Sequence, residues 1–126
     1  ELKLGVQIDA TAGIPPLMLD ERRLRLALSN LLQNAAQAGA KTVTVGIVYE
    51  GGMLSLEVSD DGAGIDPHDV ESLFEPFVTK RTRGVGLGLA VVRRVAQIHG
   101  GSVSASNRAG GGALFTMLLQ APPASG

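Results

Sequence analysis

Apolar and polar positions alternate from the first residues of this chain. In "ELKLGVQID" Leu2, Leu4, Val6 and Ile8 recur at every second position, which is the period of a strand. "ATAGIPP" breaks the pattern as a loop. From Glu21 the spacing changes. Leu24, Leu28, Leu31, Leu32, Ala35 and Ala38 fall three or four apart, so the pattern predicts a helix that Asp20 can cap and Gly39 ends. "TVTVGIVYE" and "MLSLEVSD" return to period two across Gly51 and Gly52, a hairpin signal. "DDGAGID" reads as a tight loop, and Asp66 with Pro67 as the start of a short helix. "EPFVTKRTRGVG" has no period and reads as an exposed loop. Helical spacing resumes over 87–98 through Leu87, Ala90, Val91, Val95 and Ile98. "GSVSASN" and "ALFTMLLQ" then form a last hairpin across "RAGGG", and 121–126 is expected as a flexible tail.

Hairpin-joined strands with interspersed helices predict an α+β fold. The expected architecture is a two-layer sandwich: a mixed, mostly antiparallel sheet against about three helices.

Composition narrows the functional classes. The chain has 126 residues, one domain's length, and 44% of them are apolar against 18% charged, which is a globular balance. A net charge of −1 gives no basic field for nucleic acid or an anionic membrane. Aromatics at 3%, with no Trp, argue against base-stacking platforms. The absence of Cys excludes disulfides, thiolate metal sites and thiol nucleophiles.

Three polar clusters interrupt the core pattern. Asn30, Asn34 and Gln37 lie off the leucine stripe of the first helix, with Asn30 and Asn34 one above the other. Their neutral oxygens suit a hard cation that keeps most of its waters, or simply a solvated face. Asp60 and Asp61, followed by Gly62 and Gly64, end a strand. They read as an acceptor for an amino group beside a backbone that a flat ligand can approach, as a plain turn, or as paired carboxylates. Gly84, Gly86 and Gly88 alternate with Val85, Leu87 and Leu89 before the second long helix. Open N–H groups and the helix dipole favour phosphate there, with Lys80, Arg81 and Arg83 just upstream, or the glycines are simply a helix cap with small residues for close packing.

In this order, "LSNLLQNAAQA", "VSDDGAGID", "LFEPFVTK" and "GVGLGLAVV" resemble the N, first glycine, F and second glycine boxes of the catalytic ATP-binding domain of sensor histidine kinases. The resemblance spans residues 1–120 and implies the Bergerat-type sandwich, with ATP and Mg²⁺ as its cofactors. It places the Mg²⁺ ligand at Asn34 and its partner one turn earlier at Asn30. Asp60 corresponds to the acceptor of the adenine amino group. Gly62, Gly64 and Ile65 match the adenine pocket, and Phe74 and Phe77 the F box. Lys80, Arg83, Gly84, Val85, Gly86, Leu87 and Gly88 match the lid and its phosphate contacts, with Lys80 and Asn34 as the catalytic pair. Thr116 matches a hydroxyl near the adenine water network. Gln37 stands where many members carry Lys or Arg, and Val85 where Thr or Ser is frequent.

The resemblance further implies a monomeric isolated domain in the cytoplasm, any membrane anchor of the parent protein lying outside it. Its implied partners are a phosphoacceptor-histidine dimerisation domain of the same protein and a response regulator. Neither His68 nor His99 has the setting of that acceptor; His99 is expected near a helix C-terminus, where positive charge is favoured. Two alternatives stand beside the kinase reading. An ATPase of the topoisomerase or mismatch-repair type carries Glu as general base where this chain has Asn30. A catalytically inactive scaffold would keep the fold alone.

Overall fold

The computed structural model describes residues 4–75 and 88–124. Five strands form one sheet: β1 (Gly5–Ala10), β2 (Thr42–Glu50), β3 (Met53–Asp60), β4 (Ser102–Asn107) and β5 (Ala113–Gln120). Two helices accompany them, α1 (Glu21–Gln37) and α2 (Gly88–Ile98). The strand order is β1-β2-β3-β5-β4. Only the β1–β2 pair is parallel, with α1 as its crossover; the other three pairs are antiparallel. This is the two-layer α+β arrangement that the pattern predicts.

Local chemistry sets the element ends. Asp20 caps α1 by accepting from the Arg23 N–H at 3.1 Å, and its other oxygen holds the Arg23 guanidinium at 2.7 Å. These contacts, the backbone bond foremost, hold the Asp20 carboxyl below its usual range. The β2–β3 turn is Gly51–Gly52 with φ of +61° and +82°, the left-handed pair that a two-residue hairpin of this twist requires.

The core lies between the helices and one face of the sheet. Ala27, Leu31 and Ala35 of α1, and Val92, Val95 and Ala96 of α2, meet Val43, Leu56, Val58, Phe115, Met117 and Leu119 from the strands. Phe74 joins them edge-on to Phe115, ring centroids 6.1 Å apart at 88°. The buried stripe of α2 is rotated from the predicted one, which leaves Ile98 exposed. Val6 and Ile8 pair in register with the buried Val43 and Val45 yet stay open, because β1 is an edge strand. Among the described residues no helix is long and apolar enough to cross a membrane.

Two expectations are corrected. The short third helix at Asp66–Pro67 is not formed. The segment runs as successive turns instead, with Asp69 N–H bonded to Asp66 O, Ser72 N–H to Asp69 O and Glu75 N–H to Ser72 O. The Asp66 side chain accepts from the His68 N–H at 2.9 Å, an Asx-type turn that is not continued as a helix. Nor is the chain after β5 loose over 121–124. Ala121 is buried and bonds to Gly52 O, and Tyr49 Oη donates to the Ala121 carbonyl at 2.8 Å. Met18 N–H and Ala124 N–H complete the attachment through Pro122 O and Pro16 O.

Candidate nucleotide site

Buried positions on β3 alternate as Leu54, Leu56, Val58 and Asp60. The carboxylate thus occupies the next core-facing position at the strand's end. It is 2% exposed and is the one buried polar residue among those described. A buried carboxylate is costly unless it is bonded. Its Oδ1 accepts from Gly62 N–H at 2.8 Å and from Ala113 N–H at 3.2 Å. Both of these bonds fall on one oxygen. Oδ2 accepts no hydrogen bond from another of the described residues.

The loop after Asp60 is fixed from three sides. Asp61 Oδ1 accepts from Lys41 N–H at 2.8 Å and Thr42 N–H at 3.0 Å, which ties it to the start of β2. The bond from Thr42, and then that from Lys41, hold the Asp61 carboxyl below the usual range. Asp60 and Asp61 therefore serve different partners and are not paired carboxylates. Ala63 N–H donates to Ala38 O at 3.0 Å, against the end of α1. A Cβ at Gly62 would stand 2.8 Å from that same carbonyl, so the glycine permits the loop to seat on the helix. On the third side Arg108 Nη1 donates to the Asp60 carbonyl at 2.6 Å. Gly112, at φ +91°, lies so close that a Cβ would come within 1.9 Å of the Asp60 carbonyl oxygen.

The second part of the site lies further back along α1. Asn30 and Asn34 are half-buried and Gln37 is exposed. Asn30 Nδ2 donates to the Gly88 carbonyl at 3.1 Å. Gly88 is the first residue of α2, so Asn30 fixes the N-terminal end of that helix beside Asn34. From Asn30 to Ala38 the axis of α1 rises about 12 Å. One helix thus spans from the α2 N-terminus to the Asp60 loop.

Of the expected residues the structure joins Asn30 to Gly88 and Asp60 to Gly62, and sets Gly64 and Ile65 against Asn107. Phe77, Lys80, Arg83, Gly84, Val85, Gly86 and Leu87 lie outside the described residues. Thr116 does not reach the site. Phe115 and Met117 point to the helices, so Thr116 alternates to the opposite face, between Glu57 and Ser104 of the neighbouring strands. The β5 residue that does reach Asp60 is Ala113, through its backbone. The sequence reading missed Asn107, Arg108 and Gly112. The glycine cluster of "RAGGG" was their only signal, and it also describes an ordinary hairpin turn.

Comparison with known proteins agrees with this geometry. A family model described as histidine kinase-, DNA gyrase B-, and HSP90-like ATPase matches residues 19–123. The chain is 36% identical over 115 residues to the C4-dicarboxylate transport sensor protein DctS of Rhodobacter capsulatus, covering 86% of this chain and 18% of DctS. It is 34% identical over 119 residues to the sensor histidine kinase ZraS of Escherichia coli (strain K12), covering 93% of this chain and 26% of ZraS. The chain therefore spans about a quarter or less of these curated relatives. Among solved structures, full-length ShkA in complex with AMPPNP superposes with a TM-score of 0.83 at 32% identity, over 98% of this chain and 27% of that one.

Proposed function

The chain belongs to the histidine kinase-, DNA gyrase B- and HSP90-like ATPase family as an ATP-binding catalytic domain of the histidine-kinase kind, and from that premise we propose how its residues handle the nucleotide. Asp60 Oδ2 accepts from the adenine amino group, while the backbone bonds to Oδ1 hold the carboxylate in place. Gly62, Gly64 and Ile65 line the base. The phosphates lie toward the N-terminus of α2, beside Asn34, where Lys80, Arg83 and the glycines of 84–88 supply further donors. The likeness to ShkA, whose structure holds the ATP analogue AMPPNP, supports nucleotide binding by this fold.

The donor set at Asn34 fits a magnesium ion brought in by the nucleotide. A single carboxamide oxygen suits an ion whose other ligands are phosphates and water, and no cluster of three or more carboxylate or imidazole groups among the described residues would hold a metal alone. When bound, the ion neutralises charge on the β- and γ-phosphates.

The reaction proposed for the parent protein is attack by an imidazole nitrogen of a separate phosphoacceptor domain on the γ-phosphorus. The β–γ bridging P–O bond breaks and ADP leaves with its electron pair. A response regulator then takes the phosphoryl group, in the cytoplasm where ATP is supplied. This chain contributes position and charge, not a nucleophile. Both ring nitrogens of His99 are engaged, by Asp20 N–H at 2.9 Å and Val95 O at 2.9 Å, which excludes it as an acceptor. Hydrolysis is disfavoured at Asn30, a carboxamide without a basic site whose Nδ2 already holds Gly88 O.

The single observation that carries this reading is the buried Asp60 with one oxygen saturated by backbone. Calorimetry and thermal unfolding with ADP or AMPPNP plus Mg²⁺ test it. At a hundredfold excess over Kd, the folded state is expected to gain about 2.7 kcal/mol. No heat and no shift at millimolar nucleotide would overturn it.

A further inference from the structure

We infer that Asn107, the last residue of β4, is a positioning residue for the base end of the nucleotide site. Its Oδ1 accepts from Ile65 N–H at 2.7 Å and its Nδ2 donates to Ile65 O at 2.9 Å. One side chain thus reproduces the double exchange that paired residues of antiparallel strands make. It closes the far end of the loop that Asp60 opens.

The same residue stands opposite Ala113 in the β4–β5 ladder, and Ala113 N–H holds Asp60 Oδ1. Asn107 therefore sets Ile65 with its side chain while its backbone partner sets Asp60. The two ends of the loop keep a fixed separation because both refer to the β4–β5 turn. Arg108, next in sequence, adds a third tie to the Asp60 carbonyl.

Gly64 bears the mark of this arrangement. Its φ is +84°, and a Cβ there would stand 2.8 Å from Asn107 Oδ1. A glycine that reads in sequence as room for a ligand is, in the fold, also room for the Asn107 carboxamide. The consequence for binding is pre-organisation: a loop already held in its bound shape loses less freedom when adenine docks. The inference rests on the reading that Asp60 receives adenine.

The test compares wild type, Asn107→Ala and Asn107→Asp by calorimetry with ADP·Mg²⁺ and with adenosine, beside thermal unfolding and amide exchange at Ile65. Asn107→Ala is expected to expose the Ile65 amide and to weaken ADP and adenosine alike by about tenfold. An equal loss with adenosine, which has no phosphates, locates the effect at the base. Asn107→Asp keeps the size and the acceptor but lacks the donor to Ile65 O. It is expected to fall between the other two and keeps the test open should Asn107→Ala fail to fold. Unchanged affinities in a folded variant whose Ile65 amide has become labile would overturn the role. So would a lowered melting temperature with unchanged Kd, the signature of a purely structural residue. A wild-type chain that binds neither ligand would instead refute the nucleotide reading, and this inference with it.

Discussion

Replacing Asp60 separates what this carboxylate does for the fold from what it does for a ligand. Asp60→Ala removes Oδ1 and leaves two N–H groups, that of buried Ala113 and that of half-buried Gly62, without their acceptor. An orphaned buried donor costs about 1–3 kcal/mol. The pair therefore costs about 2–6 kcal/mol, a large share of the roughly 5–15 kcal/mol that holds a domain of this size. Asp60→Ala is expected to unfold at much lower temperature, and it says little about binding. Asp60→Asn differs. Its Oδ1 can still serve both N–H groups, and Oδ2 becomes an amide nitrogen. An adenine amino group then meets a donor where it needs an acceptor. A loss of about 1–3 kcal/mol follows from the unmet donor, equivalent to roughly five- to 150-fold in Kd. A guanine carbonyl at the same place meets a donor it can use. Calorimetry with ADP and GDP on both proteins, after thermal unfolding has shown Asp60→Asn to be folded, reads the difference. The preference for ADP over GDP is expected to shrink or invert. A folded variant with unchanged ADP affinity and unchanged preference would refute the assignment of Oδ2 to adenine.

Other outcomes follow from contacts around the site. Gly112→Ala would bring a Cβ within 1.9 Å of the Asp60 carbonyl oxygen, at a φ that L side chains rarely adopt, so a loss of about 3 kcal/mol or more is expected in denaturant unfolding. Asp61 has a folded-state pKa below its ordinary value of 3.8, through bonds from Thr42 and Lys41. Its contribution to stability is therefore present above that value and is lost as pH falls through the lower folded-state one; in Asp61→Asn, unfolding between pH 2 and 6 should show a weaker acid dependence. Phe115→Ala empties the centre of the core and should cost about 3–5 kcal/mol. Asn30→Ala frees the Gly88 carbonyl and should weaken ADP more than adenosine, since it loosens only the α2 end.

Much of the fold was legible because the period of the apolar residues is a direct image of burial. β2 and β3 show it best, since Val43, Val45, Leu54, Leu56 and Val58 all sit where alternation places them. The segment after Pro67 was not legible. Asp66 accepting from the His68 N–H is the contact that opens a helix and equally one that closes a single turn, and no local pattern reveals that the backbone then runs on as i→i−3 turns. Thr116 was misplaced because a motif match fixes a neighbourhood, whereas the strand period decides a face. Counting from Phe115 would have turned it outward. Asn107 is a different case. Its partner Ile65 lies 42 residues away, and no spacing rule connects the two.

His99 makes another such distant contact. It lies just past the end of α2, near a helix C-terminus as expected. Its Nε2 accepts the Asp20 N–H at 2.9 Å, and its Nδ1 lies 2.9 Å from the Val95 carbonyl oxygen. Asp20 caps the start of α1, and His99 follows the last residue of α2. At the other end Asn30, well along α1, holds Gly88, the first residue of α2. The two helices are therefore antiparallel and fastened at two points. From Asp20 to Asn30 the axis rises about 15 Å, and from Gly88 to His99 about 16 Å, so the fastenings match without bending either rod. Such a pair can be displaced only as a unit, or by releasing one fastening. The N-terminus of α2 is thereby held against α1 at Asn30. On the proposed placement of the phosphates, a helix end of modest charge that is already held in place would contribute to binding without first having to be ordered.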